Sequence, residues 1–271
     1  MKIFTKKTKP KPFVKWAGGK RQIVNLLVAY MPKNYETYIE PFVGGGALLF
    51  QVQPRKAVIG DINQELINAY LVIKDHVEDL IEDLKMHKNT PEYYYKIRAI
   101  DPKSLDPIKR ASRFIYLNKT CYNGLYRENS KGEFNVPFGR YKNPKIVDEE
   151  NLRAVSEFLR SCDLEVLCGD FEETCQKAKA GDFVYFDPPY YSTFSNYTRE
   201  NFTEKDHIRL RDLFVELDKK GVCLMLTNSN TDFIKNLYKG YRLKVVNTAR
   251  FINCKGDMRG KGEHELIITN Y

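Results

Sequence analysis

The residues best suited to chemistry stand together at Asp187-Pro188-Pro189-Tyr190, directly after the apolar run 183–186. Two successive prolines fix φ and stiffen the turn. The Asp187 carboxylate and the Pro188 carbonyl are then held as paired acceptors that can converge on one planar amino group, with Pro189 bracing the turn and Tyr190 offering a ring for stacking. At ordinary residue usage this tetrapeptide arises by chance in about one chain in a thousand of this length. Its position adds to that specificity: in an open α/β sheet ligands bind beyond the carboxyl ends of strands, and the motif begins where a predicted strand stops. A plain Pro-Pro turn with a helix-capping aspartate would explain the motif alone, but not its companions.

The first companion is Glu40-Pro41-Phe42-Val43-Gly44-Gly45-Gly46, between a short predicted strand and a helix that opens at Ala47. Glycines there permit close backbone approach and turns that other residues resist. The spacing is neither the dinucleotide pattern GxGxxG nor a phosphate-cradling Walker loop, since no Lys-Ser/Thr follows. The next apolar run ends at Gly60-Asp61-Ile62-Asn63, which sets a carboxylate at a neighbouring strand end, apt for ribose hydroxyls. An adenosine-containing cofactor with no phosphate requirement fits both facts.

These residues need a sheet to position them, and the chain supplies one. Short apolar runs at 37–39, 57–59, 164–167, 183–186, 222–226, 243–246 and 266–269 read as seven strands. Helical stretches at 47–51, 204–219 and 231–238 alternate with them, as expected of parallel strands joined by crossover helices. Between residues 64 and 149 the strand signal nearly vanishes. Helices are predicted over 64–76, 77–87, 91–100 and 107–118, followed by a Gly-containing turn at Asn129-Ser130-Lys131-Gly132 between two aromatic-rich arms. The fold class is therefore α/β, with a catalytic domain at 1–63 and 150–271 and a helical, hairpin-bearing insert at 64–149.

The net charge of +9 is concentrated. Residues 1–21 carry eight Lys/Arg and no acid; residues 109–145 carry nine Lys/Arg against Glu128 and Glu133, leaving the rest of the chain net negative. Such concentration suits a surface that neutralises phosphates. Phe114, Tyr116, Tyr122, Tyr126, Phe134, Phe138 and Tyr141 are interleaved with the second cluster as candidate stacking surfaces and wedges for bases. The six cysteines form no CxxC pair and the four histidines no HxxxH spacing, so no metal site is expected. No stretch approaches the roughly 20 apolar residues of a membrane span, and the Lys-rich start lacks a secretory core; the expectation is a cytoplasmic protein.

Trp16-Ala17-Gly18-Gly19-Lys20, the loop from Glu40 to Gly46, Asp61-Ile62-Asn63, Asn123-Gly124-Leu125-Tyr126-Arg127, Phe134-Asn135-Val136-Pro137-Phe138-Gly139-Arg140-Tyr141 and the Asp-Pro-Pro-Tyr motif occur in this order. Together they closely resemble the Dam family of DNA adenine-N6 methyltransferases, whose members usually recognise GATC. The resemblance spans nearly the whole chain and implies a seven-stranded Rossmann-like methyltransferase sheet with an inserted target-recognition domain, acting on double-stranded DNA with S-adenosylmethionine and no metal. It implies that Trp16, Lys20, Phe42, Gly44, Gly46 and Asp61 hold the cofactor, with Asp170 and Phe171 near its adenine and Asp187 near both its methionine end and the target amine. Lys15 resembles a base-contacting lysine, Tyr122 the aromatic inserted where the adenine leaves, and Asn123 the partner of the orphaned thymine. Leu125, Arg127, Pro137 and Tyr141 resemble readers of the outer base pairs; arginine suits guanine O6 and N7, and an apolar side chain a thymine methyl. A bacterial or phage enzyme, monomeric and compatible with pairing to a restriction endonuclease, follows from the same resemblance.

The implied chemistry is simple. Adenine N6 is a poor nucleophile and a sulfonium methyl is already electrophilic, so positioning and charge placement carry the rate. No Pro-Cys nucleophile of the cytosine-C5 type is present. Two other readings fit fewer residues: the same motif could present acceptors to RNA or to a protein glutamine amide, and a dead scaffold could serve as a sequence-specific DNA-binding regulator.

Overall fold

All seven apolar runs become strands of one sheet in the computed structural model, which describes residues 8–191, 202–249 and 262–271. Part of the basic N-terminus, residues 1–7, and Cys254 lie outside the described residues. The strands are β1 (Tyr38–Glu40), β2 (Lys56–Asp61), β3 (Asp163–Cys168), β4 (Phe183–Phe186), β5 (Cys223–Ser229), β6 (Arg242–Ala249) and β7 (Gly262–Thr269). Their order is β3-β2-β1-β4-β5-β7-β6. Strands β1 to β5 pair in parallel, whereas β7 lies between β5 and β6 and is antiparallel to both. A parallel return requires a crossover, usually a helix; the sequence offers no helical stretch between the last two runs, and the chain turns back instead.

The sheet is covered on both faces, which explains why its interior strands read as nearly continuous apolar runs. Alternation along β4 sends Phe183 and Tyr185 into one hydrophobic layer and Val184 and Phe186 into the other. The second layer is closed by α8 (Phe171–Cys175), α9 (Glu204–Lys219) and α10 (Asp232–Leu237), through Leu210, Phe214, Leu217 and Ile234. The first is closed by α1 (Val24–Tyr30), α2 (Ala47–Val52), α3 (Gln64–Asp75) and α7 (Glu149–Ser161). Its core continues without a break into α4 (Val77–Lys85), α5 (Pro91–Arg98) and α6 (Pro107–Thr120).

Helix α3 links the two regions. Asn63 caps it by accepting from the Leu66 amide at 2.9 Å, and the helix touches β2 and β3 on one side and α6 on the other. Beyond α6 the chain forms two antiparallel arms rather than regular strands. They are tied by Tyr122 N to Pro137 O at 2.8 Å, Asn135 N to Arg127 O at 3.0 Å and Asn129 N to Glu133 O at 2.9 Å, with Gly132 N to Asn129 O closing the turn. Among the described cysteines Cys121, Cys162 and Cys175 are buried free thiols, Cys223 is half-buried and Cys168 is exposed. Among the described residues no helix is long and apolar enough to cross a membrane.

Candidate active site

Strands β1 and β4 are neighbours, yet the chain builds outward from them in opposite directions, so the strand order reverses between them. A crevice at such a switch point is where open α/β sheets bind ligands. The loop 40–46 leaves β1, Asp61 ends β2, Asp187 follows β4 and Thr227 to Ser229 end β5. Because β7 is antiparallel, Glu265, paired with Ser229, comes to the same edge.

Around Asp187 the groups interlock. Lys20, only 5% exposed, places its ammonium 2.9 Å from Asp187 Oδ1, 2.6 Å from the Gly18 carbonyl and 4.5 Å from the centre of the Tyr190 ring. The Thr227 hydroxyl donates to the same Asp187 oxygen at 2.7 Å and meets the Tyr185 hydroxyl at 3.1 Å. The Tyr190 hydroxyl donates to Glu265 Oε2 at 2.7 Å. Burial pushes the Asp187 carboxyl above the ordinary aspartate range, and the Lys20 ammonium and the Thr227 hydrogen bond oppose that rise. Nearby, Glu40 is 2% exposed and accepts from the Tyr38 hydroxyl at 2.7 Å; burial drives its carboxyl well above the usual carboxylate range.

The glycine loop is shaped by its neighbours. Gly44 has φ +47°, and a Cβ there would stand 2.6 Å from Trp16 Cδ1; Gly46 has φ +69°, and a Cβ would meet the Tyr70 hydroxyl at 2.5 Å. Both the left-handed backbone and the close approach require glycine. The Gly44 amide donates to Asp61 Oδ2 at 3.0 Å and the Asn63 amide to Oδ1 at 2.9 Å, so the Asp61 carboxylate is oriented by two backbone donors while burial lifts it to about 6. Each oxygen retains a lone pair for a further donor. Phe42 stacks on Phe171 at 5.4 Å, whereas Asp170 caps α8 through the Glu172 amide and pairs with Arg209.

The donor set fits S-adenosylmethionine. Asp61 offers an oriented acceptor for a ribose diol, exposed Ile62 lies beside it as an apolar surface, and among the described residues Asp187 and Glu265 set carboxyl groups beside the Lys20 ammonium, apt for a sulfonium and an α-ammonium.

The DNA-facing candidates gather on the other wall. Asn118 clamps the N-terminal segment to the hairpin base: it accepts from the Lys15 amide at 2.8 Å and donates to the carbonyls of Lys15 and Gly124. The Lys15 ammonium lies over the Tyr141 ring at 4.5 Å, and both line a cavity of about 390 Å³ together with Lys119, Lys142 and Lys145. Burial lowers Lys119 to about 8. Tyr122 is 46% exposed, and Asn123 adopts a left-handed backbone at φ +56°, which asparagine tolerates. Arg127 is exposed, with its Nε donating to Asn135 Oδ1 at 2.7 Å; Pro137 is exposed and Leu125 partly buried against the core.

Part of the basic, aromatic cluster is structural. Arg113 is buried and donates to the Ile97 and Arg98 carbonyls, and Arg110 is paired with Glu65. Phe114, Tyr116 and Phe134 are core residues and Phe138 packs on them, so the exposed aromatic of the segment is Tyr122. Tyr126 stacks on Trp16 at 5.6 Å and joins the hairpin to the glycine loop. Sequence reading missed Thr227, Glu265 and the clamp Asn118. The polar run Thr227-Asn228-Ser229 at the end of an apolar strand was a usable signal for the first, and an acid directly before Leu266-Ile267-Ile268 for the second.

With this geometry in view, residues 16–252 match the sequence model of the D12 class N6 adenine-specific DNA methyltransferases. The chain is 49% identical to the type II methyltransferase M.MjaIII of Methanocaldococcus jannaschii, over 96% of this chain and 99% of the relative. It is 46% identical to the type II methyltransferase M1.LlaDCHI of Lactococcus lactis subsp. cremoris, over 96% and 95%. It is 36% identical to the DNA adenine methylase of Haemophilus influenzae, over 97% and 94%.

Proposed function

Because the chain belongs to the D12 class of N6 adenine-specific DNA methyltransferases, we propose that it methylates N6 of an adenine turned out of the duplex, within GATC. The bound S-adenosylmethionine supplies an electrophilic methyl group. Everything else falls to the chain. Asp187, held through Oδ1 by Lys20 and Thr227, accepts from the amine through its second oxygen, and the Pro188 carbonyl accepts its other hydrogen. Two acceptors in one plane draw the N6 lone pair out of the ring and toward the methyl. Tyr190 stacks on the extruded base, and the rigid Pro188-Pro189 turn keeps base and acceptors in register. Asp61, Trp16, Phe42 and the backbone at Gly44 and Gly46 hold the cofactor, with Asp170 and Phe171 at the border of its pocket.

Residues 64–149 then serve as the target-recognition domain. Tyr122 fills the gap left by the adenine, Asn123 pairs with the orphaned thymine, and Lys15, Leu125, Arg127, Pro137 and Tyr141 read the flanking pairs. The GATC assignment draws on the resemblance of the hairpin motifs to the Dam family, and the relative named DNA adenine methylase supports the target base. The type II names of two relatives fit a chain that works beside a restriction endonuclease.

The observation that carries the reading is the Lys20–Asp187–Tyr190 cluster at the switch point, next to a carboxylate suited to a ribose. The test is transfer of tritiated methyl from S-adenosylmethionine to duplex DNA, RNA and protein in parallel. Label enters duplex DNA, and Asp187→Ala abolishes transfer while duplex binding survives; full activity of Asp187→Ala refutes the assignment.

A further inference from the structure

We propose that Glu265 is a positioning residue for methyl transfer, gripping the hydroxyl end of Tyr190 and so fixing the plane in which that ring meets the adenine. The inference rests on the adenine-transfer reading and adds to it a residue 75 positions beyond Tyr190 in the chain.

Glu265 sits in β7, paired with Ser229 of β5 and Val246 of β6, and is 6% exposed. The three residues after it, Leu266, Ile267 and Ile268, are buried and apolar. An acid at that depth is costly unless its oxygens are engaged, and here one engagement is the Tyr190 hydroxyl at 2.7 Å. Paired residues of antiparallel strands share a face of the sheet, so Glu265 and Ser229 stand on the face that also presents Thr227, the donor to Asp187. Strand β5 thus buttresses Asp187 while β7 buttresses Tyr190.

Two contacts on Tyr190 bear on the plane of its ring. Glu265 fixes the hydroxyl, and the Lys20 ammonium lies against one face at 4.5 Å. A ring held only by packing can turn about its own bonds; one tethered at its far end and at one face cannot. Offset stacking is sensitive to ring plane, and in-line transfer tolerates little misplacement of the attacking atom. Glu265 also faces the pocket of Asp187, which Lys20 enters from the N-terminal segment, Tyr185 from β4, Glu40 from β1 and Tyr190 from its own loop.

The test uses the full chain with S-adenosylmethionine and duplex DNA, and compares E265Q, E265A, Y190F and the double variant E265A/Y190F. Single-turnover rates at saturating substrates are read beside KM for DNA and thermal unfolding. E265A and Y190F each lower the transfer rate by about tenfold or more with little change in KM, and the double variant falls no further than the worse single, as two ends of one contact must. E265Q keeps an oxygen acceptor and recovers part of the loss. Y190F removes a hydroxyl and leaves the ring in place, and its unfolding temperature shows whether the fold survives the loss of that contact, so its rate decides the matter even where E265A folds poorly. Parent rates in Y190F, or losses that multiply in the double variant, overturn the proposal. Asp187→Ala serves as the control for the transfer reading: activity surviving there sinks that reading, while an inactive Asp187→Ala beside a fully active Y190F sinks only the role of Glu265.

Discussion

Replacing Lys20 by methionine separates holding a cofactor from tuning an acid. The ammonium is nearly buried and 2.9 Å from Asp187 Oδ1. At an effective dielectric of ~20, unit charges at that distance attract by about 6 kcal/mol. Local relaxation lowers the figure, and breaking a buried pair costs about 3–5 kcal/mol in practice. Asp187 is already pushed upward by burial, and Lys20 is the main force holding it down. Without Lys20 the neutral acid is favoured by at least ~3 kcal/mol more, which cuts the ionised population about a hundredfold wherever the pH lies below the titration. A neutral carboxyl with its proton on the substrate-facing oxygen donates where it must accept, so transfer falls with that population. The assay is single-turnover transfer of tritiated methyl into duplex DNA between pH 6 and 9.5, with cofactor and DNA saturating. Lys20→Met shows its largest deficit at the acid end of the range, up to about a hundredfold, and the deficit shrinks steadily as the pH rises. A deficit of constant size across the range, or one abolished by more cofactor, refutes the electrostatic argument and leaves Lys20 as a ligand-binding residue alone.

Other consequences follow from the same geometry. Burial holds Asp61 up to about 6 and its acceptor role needs the charged form, so cofactor affinity is full above about pH 7 and weakens as the pH falls through 6. Quenching of Trp16, the single tryptophan, reads this directly, and affinity unchanged down to pH 5 counts against the role. Gly44→Ala forces a side chain to 2.6 Å from Trp16 at a left-handed backbone; a strain of about 1–3 kcal/mol lowers the unfolding temperature by about 2–10 °C and displaces Trp16, weakening cofactor binding in calorimetry. Arg127→Ala relaxes sequence preference by about 1–3 kcal/mol at one base pair in competition assays with substituted duplexes; an unaltered preference removes Arg127 from the readers.

The sheet was legible because each strand carries a short apolar run, and the runs of β2 and β4 lead directly into Asp61 and Asp187 at the crevice. Lys20 and Asp187 could be singled out separately by motif, but their 2.9 Å contact is a product of the fold. Thr227 and Glu265 were not read because each meets its partner 40 or 75 residues away, and a single threonine or glutamate at a strand end carries no periodic signal. The charge and aromatic content of residues 109–145 said too much. On α6 the buried face takes Arg113, Phe114 and Tyr116 together, and a linear count cannot separate an arginine that satisfies two carbonyls from one that meets phosphate. The reversal of β7 was visible only as a missing crossover helix.

On the proposed reading, a carboxylate and a carbonyl on a proline-braced turn drive methylation of adenine N6 in a defined sequence. Long-read sequencing of plasmid DNA from a methylation-deficient host expressing the chain reads base and context together. The expected result is N6-methyladenine at GATC, absent when Asp187→Ala is expressed instead. Unmodified plasmid, methylation on cytosine, or adenine methylation that persists in Asp187→Ala contradicts it.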